Sequence, residues 1–167
     1  MRILDLSAGK RAQWYDKNRD VVDMQHLRLP DTIHVDIRPQ PLADATVRMD
    51  TKRLLFKDSM FDLISFDPPH MCCGPASKMA KQYGHWTTQE ILDLITGTAK
   101  EAHRVAKPDA ILTLKWNDHD IGLERVLVRM DEWWEPLYGQ TTAVRDKHKS
   151  ATTWTVFKRR TGGVPSL

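Results

Sequence analysis

Two cysteines are all that 167 residues contain, and Cys72 and Cys73 are neighbours. Adjacent cysteines disfavour an ordinary intrachain bridge, so a disulfide-stapled secreted scaffold is excluded and a reducing compartment is expected. Long hydrophobic runs are missing as well: every apolar stretch is strand-sized, too short to span a membrane as a helix. Met1-Arg2-Ile3-Leu4-Asp5 enters a strand directly, without the apolar region and cleavage pattern of a secretory signal. The expected location is therefore cytoplasmic, with no membrane partner. Internal repeats, low-complexity tracts and linker-like segments are also lacking, which leaves one domain over residues 1–167 as the expectation.

What is there is an ordinary globular mixture, 41% hydrophobic and 28% charged, with a net charge of +3 that by itself says little about partners. Its distribution says more. Between Arg145 and Arg160 stand Arg145, Lys147, Lys149, Lys158, Arg159 and Arg160 against the single acid Asp146, which leaves the rest of the chain slightly acidic. Such a cluster reads either as a solvated hairpin tip or as a phosphate-facing surface.

Apolar runs alternate with helical patterns along the chain, the signature of an α/β sheet. Strands are predicted over Arg2–Leu6, Thr32–Ile37, Thr46–Asp50, Asp62–Asp67 and Ala110–Trp116. Thr87 and Glu90 have capping-box spacing, and Ile91, Leu92, Ile95, Ala99, Ala102 and Val105 fall on one face, so a helix is predicted from Thr88 to Val105. Lys107-Pro108-Asp109 then reads as a turn. A second helix is predicted over Asp120–Trp133, ended by Pro136. Leu137–Ala143 and Thr152–Lys158 read as an antiparallel pair around the basic tip. Lys17–Pro30 fits neither period and is read as a short helix plus loop.

The most informative stretch is Phe61-Asp62-Leu63-Ile64-Ser65-Phe66-Asp67-Pro68-Pro69-His70. A buried parallel strand must stop at two prolines, neither of which donates to a ladder, and this sets Asp67 at the carboxyl edge where open α/β sheets bind ligands. Three other acids end predicted strands: Asp5 before the small residues Ser7-Ala8-Gly9, Asp36 within Val35-Asp36-Ile37, and Asp50. An acid at the end of the second strand is placed to accept both hydroxyls of a ribose. Any one of these has a bland reading as a turn or surface residue. Four in consecutive steps, ending in Asp67-Pro68-Pro69, argue for a nucleoside-type ligand.

These motifs resemble the class I S-adenosylmethionine-dependent methyltransferases, and within them the Asp-Pro-Pro-aromatic group that methylates exocyclic amines of adenine or cytosine. Trp14-Tyr15-Asp16-Lys17, Tyr83-Gly84, Arg104-Val105-Ala106-Lys107-Pro108, Leu114-Lys115-Trp116-Asn117 and Thr153-Trp154 extend the likeness to a small phage and bacterial branch with His after the prolines. The resemblance implies a Rossmann-like, mostly parallel seven-stranded sheet with an antiparallel C-terminal hairpin and helices on both faces. It implies S-adenosyl-L-methionine as cofactor, with Asp5, Ser7, Ala8 and Gly9 around its methionine part, Asp36 on its ribose, Asp50 near its adenine, and Ile37 among the cofactor contacts. It further implies that Asp67 and the Pro68 carbonyl grip the acceptor amine on a turn stiffened by Pro69.

His70 departs from the main group, which has a larger aromatic there. Its imidazole could stack on an extruded base, act as a base, or donate a structural hydrogen bond. Cys72 and Cys73 do not directly follow proline, as a carbon-5 cytosine nucleophile does in its family. With His70 they also lack the paired spacing of a zinc site, so no metal is expected. Lys115, Trp116 and Asn117 end a strand at the functional edge as candidate substrate contacts, with Lys147 and Lys149 as candidate phosphate contacts. Trp14 and Trp154 read as core. DNA or RNA is the expected partner, and with no room for a separate recognition domain, selectivity falls to the Met71–Gln82 segment, read as a mobile lid, to the basic hairpin, to a homodimer or to another partner. A methyltransferase for a small molecule or protein, and a non-catalytic binding module, remain as competing readings.

Overall fold

The computed structural model describes residues 1–9, 32–39, 45–142 and 150–161. In chain order the elements are β1 (Ile3–Asp5), β2 (Thr32–Asp36), β3 (Val47–Arg48), β4 (Phe61–Phe66), α1 (Lys78–Tyr83), α2 (Thr88–Val105), β5 (Ala106–Asn117), α3 (Leu123–Met130), β6 (Trp134–Thr141) and β7 (Thr152–Arg159). The strands form one seven-stranded sheet in the order β3-β2-β1-β4-β5-β7-β6. Strands β3 to β5 run parallel, whereas β7 is antiparallel to both β5 and β6. From β1 the chain moves outward to β2 and β3 and then returns to β4, so the topological switch point lies between β1 and β4.

Alternation along each strand gives the sheet two unlike faces. One carries Leu4, Ile64, Phe66, Leu112, Leu114, Trp116 and Phe157, all buried in a single apolar core with the inward sides of α2 and α3. On α2, Ile91, Leu92, Ile95, Ala99, Ala102 and Val105 are buried. Trp134, at the start of β6, is buried in the same core and donates its indole N–H to the Ala99 carbonyl at 3.0 Å. The other face is polar toward its carboxyl edge, where the strand register sets His34, Asp5, Ser65 and Thr113 side by side across β2, β1, β4 and β5, and apolar one row back, where Ile3, Leu63 and Ile111 align. Helices expected on that second face fall in connections outside the described residues, as does Lys17–Pro30. No helix among the described residues is long and apolar enough to cross a membrane.

The seven strands, the C-terminal hairpin and the limits of α2 match expectation, and Thr87 and Glu90 do form a capping box. Three local expectations do not hold. Lys107-Pro108-Asp109 is not a turn: α2 runs straight into β5, and the irregularity is taken up as a register shift between Phe61 and Leu63 on β4. Pro136 does not end a helix but lies within β6, an edge strand, where a residue without an N–H is tolerated and the register shifts between Pro136 and Tyr138. Met71–Gln82 is not all loop, because Ser77 caps α1 by accepting from the Met79 N–H at 3.1 Å.

Candidate active site

The carboxyl ends of β1, β2, β4 and β5 meet at the switch point, and hydrogen bonds tie them together. Ser7 Oγ accepts from the Asp67 N–H at 3.3 Å, joining the turn after β1 to the Asp-Pro-Pro turn after β4. The Gly9 N–H donates to Asp36 Oδ2 at 3.1 Å, joining the same turn to β2. Gly9 has a φ of 50°, in the left-handed region where a side chain is strained. Asp36 and Asp67 thus flank one glycine-bearing turn on the polar side of the sheet.

Asp5 belongs behind that turn and not in contact with a ligand. It is fully buried, accepts from the Ser7 N–H at 3.2 Å and is joined to His34 Nδ1 at 2.8 Å. This corrects the expectation that Asp5 touches a cofactor: its carboxylate shapes Ser7-Ala8-Gly9 from beneath. Ala8 is buried, and its N–H donates to the Val35 carbonyl at 3.0 Å. Asp50 caps the turn after β3, accepting from the Lys52 N–H at 2.9 Å. Ile37 projects outward, 54% exposed, beside Asp36.

Each of the two principal carboxylates holds a cation of its own chain. Arg38 grips Asp36 through its N–H and Nε at 2.9 Å each to Oδ1 and through a terminal guanidinium nitrogen at 2.7 Å to Oδ2. With the Gly9 bond, these contacts use about all four acceptor positions of a carboxylate. Burial pushes the Asp36 carboxyl upward, but the hydrogen bonds from Arg38 and Gly9 and the guanidinium charge outweigh it and hold the group below its ordinary value. Arg38 in turn lies 5.9 Å from the centre of the Tyr83 ring, so the last residue of α1 covers the Asp36 side of the site. At Asp67, Lys115 Nζ donates to Oδ2 at 2.7 Å and also sits 5.8 Å from the centre of the Trp154 ring.

His70 turns inward. Its ring meets the buried Trp116 edge to face, with centroids 6.2 Å apart. Burial pushes its pKa below the ordinary value; the Asp67 charge and the nearby Pro68 backbone oppose this, and the Lys115 and His119 charges add to it. The ring contact observed is therefore with the core residue Trp116.

Of Lys115, Trp116 and Asn117, only Lys115 reaches the site. Trp116 is fully buried and donates to the Ile121 carbonyl at 2.8 Å, which corrects its reading as a substrate contact. Asn117 donates to Thr152 Oγ1 at 2.9 Å and accepts from Ser150 Oγ at 2.5 Å, so it braces the β5–β7 end. Lys147, Lys149 and Trp14 lie outside the described residues. Trp154, read as core from its size, is 38% exposed.

The chain superposes on a Pyrococcus horikoshii protein with a TM-score of 0.64 at 13% identity, over 95% of this chain and 82% of that one. A SAM-dependent methyltransferase from Methanosarcina mazei gives a TM-score of 0.54 at 13% identity, over 94% and 91%. The N-methyltransferase NodS from Bradyrhizobium japonicum, crystallised with S-adenosyl-L-homocysteine, gives 0.57 at 12% identity, over 95% and 77%. The chain has the class I methyltransferase fold. No protein-family model matches the sequence, and no curated protein matches it either.

Within this methyltransferase fold, sequence reasoning missed His34, Arg38 and Trp154. Arg38 had a local signal, standing two residues after Asp36 where a long cation can fold back. His34 and Trp154 had only their strand parity, which places them on the polar side once the register is known.

Proposed function

We propose that the chain is an S-adenosylmethionine-dependent methyltransferase that methylates an exocyclic amine of a nucleobase, adenine N6 or cytosine N4, in DNA or RNA. One observation carries the reading: the Asp67 carboxylate stands at the switch point on a turn fixed by two prolines, with an oxygen facing a nitrogen donor, the Lys115 ammonium, at 2.7 Å.

The residues around Gly9 suit the cofactor. The backbone at Gly9 is left-handed, with a φ of 50°, a conformation that suits a glycine and leaves the turn without a side chain on the ligand side. Ser7, Ala8 and Gly9 would border the methionine part, Asp36 would take the ribose hydroxyls in place of Arg38, and the exposed Ile37 would cover the adenine. When bound, the cofactor supplies an electrophilic sulfonium methyl.

Asp67 has two tasks. It holds the acceptor amine in line, and by accepting its hydrogens it draws a nitrogen conjugated with the base ring toward tetrahedral geometry, freeing the lone pair. The Pro68 carbonyl would accept the second amine hydrogen. Entry of the amine requires Lys115 to leave Asp67.

The test is transfer of a tritiated methyl group from S-adenosylmethionine to pools of DNA, RNA and small molecules, with cofactor binding measured separately by calorimetry. Label in a nucleic-acid pool, recovered after hydrolysis as a base methylated on its exocyclic nitrogen, is the expected result. Cofactor binding with label only in small molecules would overturn the nucleobase assignment, and no binding would overturn the reading altogether.

A further inference from the structure

The polar side of the sheet does not end at Asp67. The register sets Lys115 on β5 opposite Trp154 on β7, and Trp154 opposite Gln140 on β6. Tyr138 pairs with Val156 one step back, which makes it the diagonal neighbour of Trp154. Two contacts show that these side chains share one side of the sheet: Lys115 Nζ lies over the Trp154 ring, and Lys158 is joined to Glu135 at 3.1 Å across β7 and β6. On the reverse side of the same strands Trp116, Trp134 and Phe157 are buried in the core. Here Trp154 is 38% exposed and Tyr138 67% exposed.

We infer that this β5–β7–β6 surface is a docking platform for single-stranded nucleic acid, on which Trp154 and Tyr138 stack two bases and which leads the strand to Asp67. Diagonal neighbours on antiparallel strands lie about 7–8 Å apart, close enough to receive adjacent unstacked bases, and sheets that carry exposed aromatics read single strands in this way. Lys115 and Lys158 flank the two rings on the same side, each paired with an acid of its own chain, Asp67 at 2.7 Å and Glu135 at 3.1 Å, and Lys115 becomes available to a phosphate once an amine displaces it from Asp67. Gln140 adds an amide beside Trp154 that can donate to or accept from a base edge. A duplex fits poorly, because its bases are already stacked on one another and offer no face to the rings. An unpaired strand offers every face, and a base already out of a helix is the form in which Asp67 could reach an exocyclic amine. The delivery step rests on the function proposed above; the binding step does not.

The experiment uses the full chain and fluorescein-labelled DNA and RNA strands of one mixed sequence, about 12 nucleotides long, together with the matching duplex, followed by anisotropy. Both strand types are expected to bind, with affinity falling as salt rises and with the duplex at least tenfold weaker. Trp154→Ala and Tyr138→Ala should each weaken strand binding by about tenfold, and Trp154→Phe and Tyr138→Phe should restore most of it. Circular dichroism and calorimetric titration with S-adenosylhomocysteine confirm that the variants are folded. Equal binding by wild type and both alanine variants, duplex preference, or no binding would overturn the platform. So would sedimentation showing a wild-type dimer that both alanine variants break, since the face would then belong to a second copy. Loss of cofactor binding or transfer with strand binding intact would instead sink the methyltransferase reading and leave the platform standing.

Discussion

Asp36 and Asp67 are in the same condition: each lies where a ligand would need an acceptor, and each is closed by a cation from its own chain. A carboxylate at such an edge cannot stay bare without cost, and Arg38 and Lys115 satisfy it until something better fitted arrives. The consequence for Asp67 is direct. Asp67→Asn keeps the shape of the turn but replaces one acceptor oxygen with a donor NH2, which repels an amine hydrogen. Methyl transfer should fall by about 100- to 1,000-fold in single-turnover assays, the usual cost of one misdirected group at the reacting atom. Cofactor affinity by calorimetry should change by less than about threefold; a parallel loss of both would make Asp67 a binding residue. His70 gives a pH prediction at the same scale. Its pKa is depressed in the folded chain by burial, so between that value and the unfolded value of about 6.5 the unfolded chain binds more protons. The resulting stability is present above about pH 6.5 and is lost as the pH falls through that window. His103 is depressed in the same sense, first by burial, so the comparison is with wild type. His70→Gln should gain less stability than wild type in urea titrations between about pH 5.5 and 7.5; an identical pH profile would show that the ring is equally protonated in both states.

At the scale of elements, the capping box on α2 gives a prediction without functional content. Thr87 Oγ1 accepts from the Glu90 N–H at 3.2 Å, and Glu90 accepts from the Thr87 N–H at 2.7 Å. Thr87→Ala removes one of these reciprocal bonds and should cost about 1 kcal/mol in chemical denaturation, with cofactor binding untouched. That helix was legible in the sequence because its signals are local: a cap, an acid three residues later, and an apolar stripe at helical period. The strand ends bearing Asp36 and Asp67 were legible for a similar reason, since prolines or a change of period mark where each run stops. What was not legible depends on distant partners. Lys115 reaches Asp67 across 48 positions, and nothing near Lys115 announces that contact. Trp154 read as core because size argues for burial, whereas its orientation follows from pairing with β5. Asp5 read as a ligand contact because its place after an apolar strand matches one. His34, 29 residues away, is what holds it in the interior. Short α1 escaped notice because its six residues, between Gly74-Pro75 and Gly84, make fewer than two helical turns.

Over the whole molecule, the site is a seam between two parts of the sheet. The β1–β2–β3 side supplies Gly9 and Asp36, the β4–β5–β7 side supplies Asp67 and Lys115, and among the described residues the Ser7–Asp67 bond crosses between them at 3.3 Å. A ligand that spans the seam is bound by the folded chain alone, so it must stabilise the fold by mass action. At about 100 times its dissociation constant, S-adenosylhomocysteine should add roughly 2.7 kcal/mol, which for a chain of this size is a rise in Tm of about 5–11 °C in a thermal scan. Arg38 makes the experiment diagnostic. If the ribose takes the lone pairs that Arg38 now fills, the guanidinium is a competitor, and Arg38→Met removes both a stabilising ion pair and an obstacle. The two effects have opposite signs: the ligand-free Tm should fall, while the ligand-induced rise should grow. A smaller rise in the variant would show that Arg38 belongs to the cofactor's own contacts and that Asp36 is not vacated on binding.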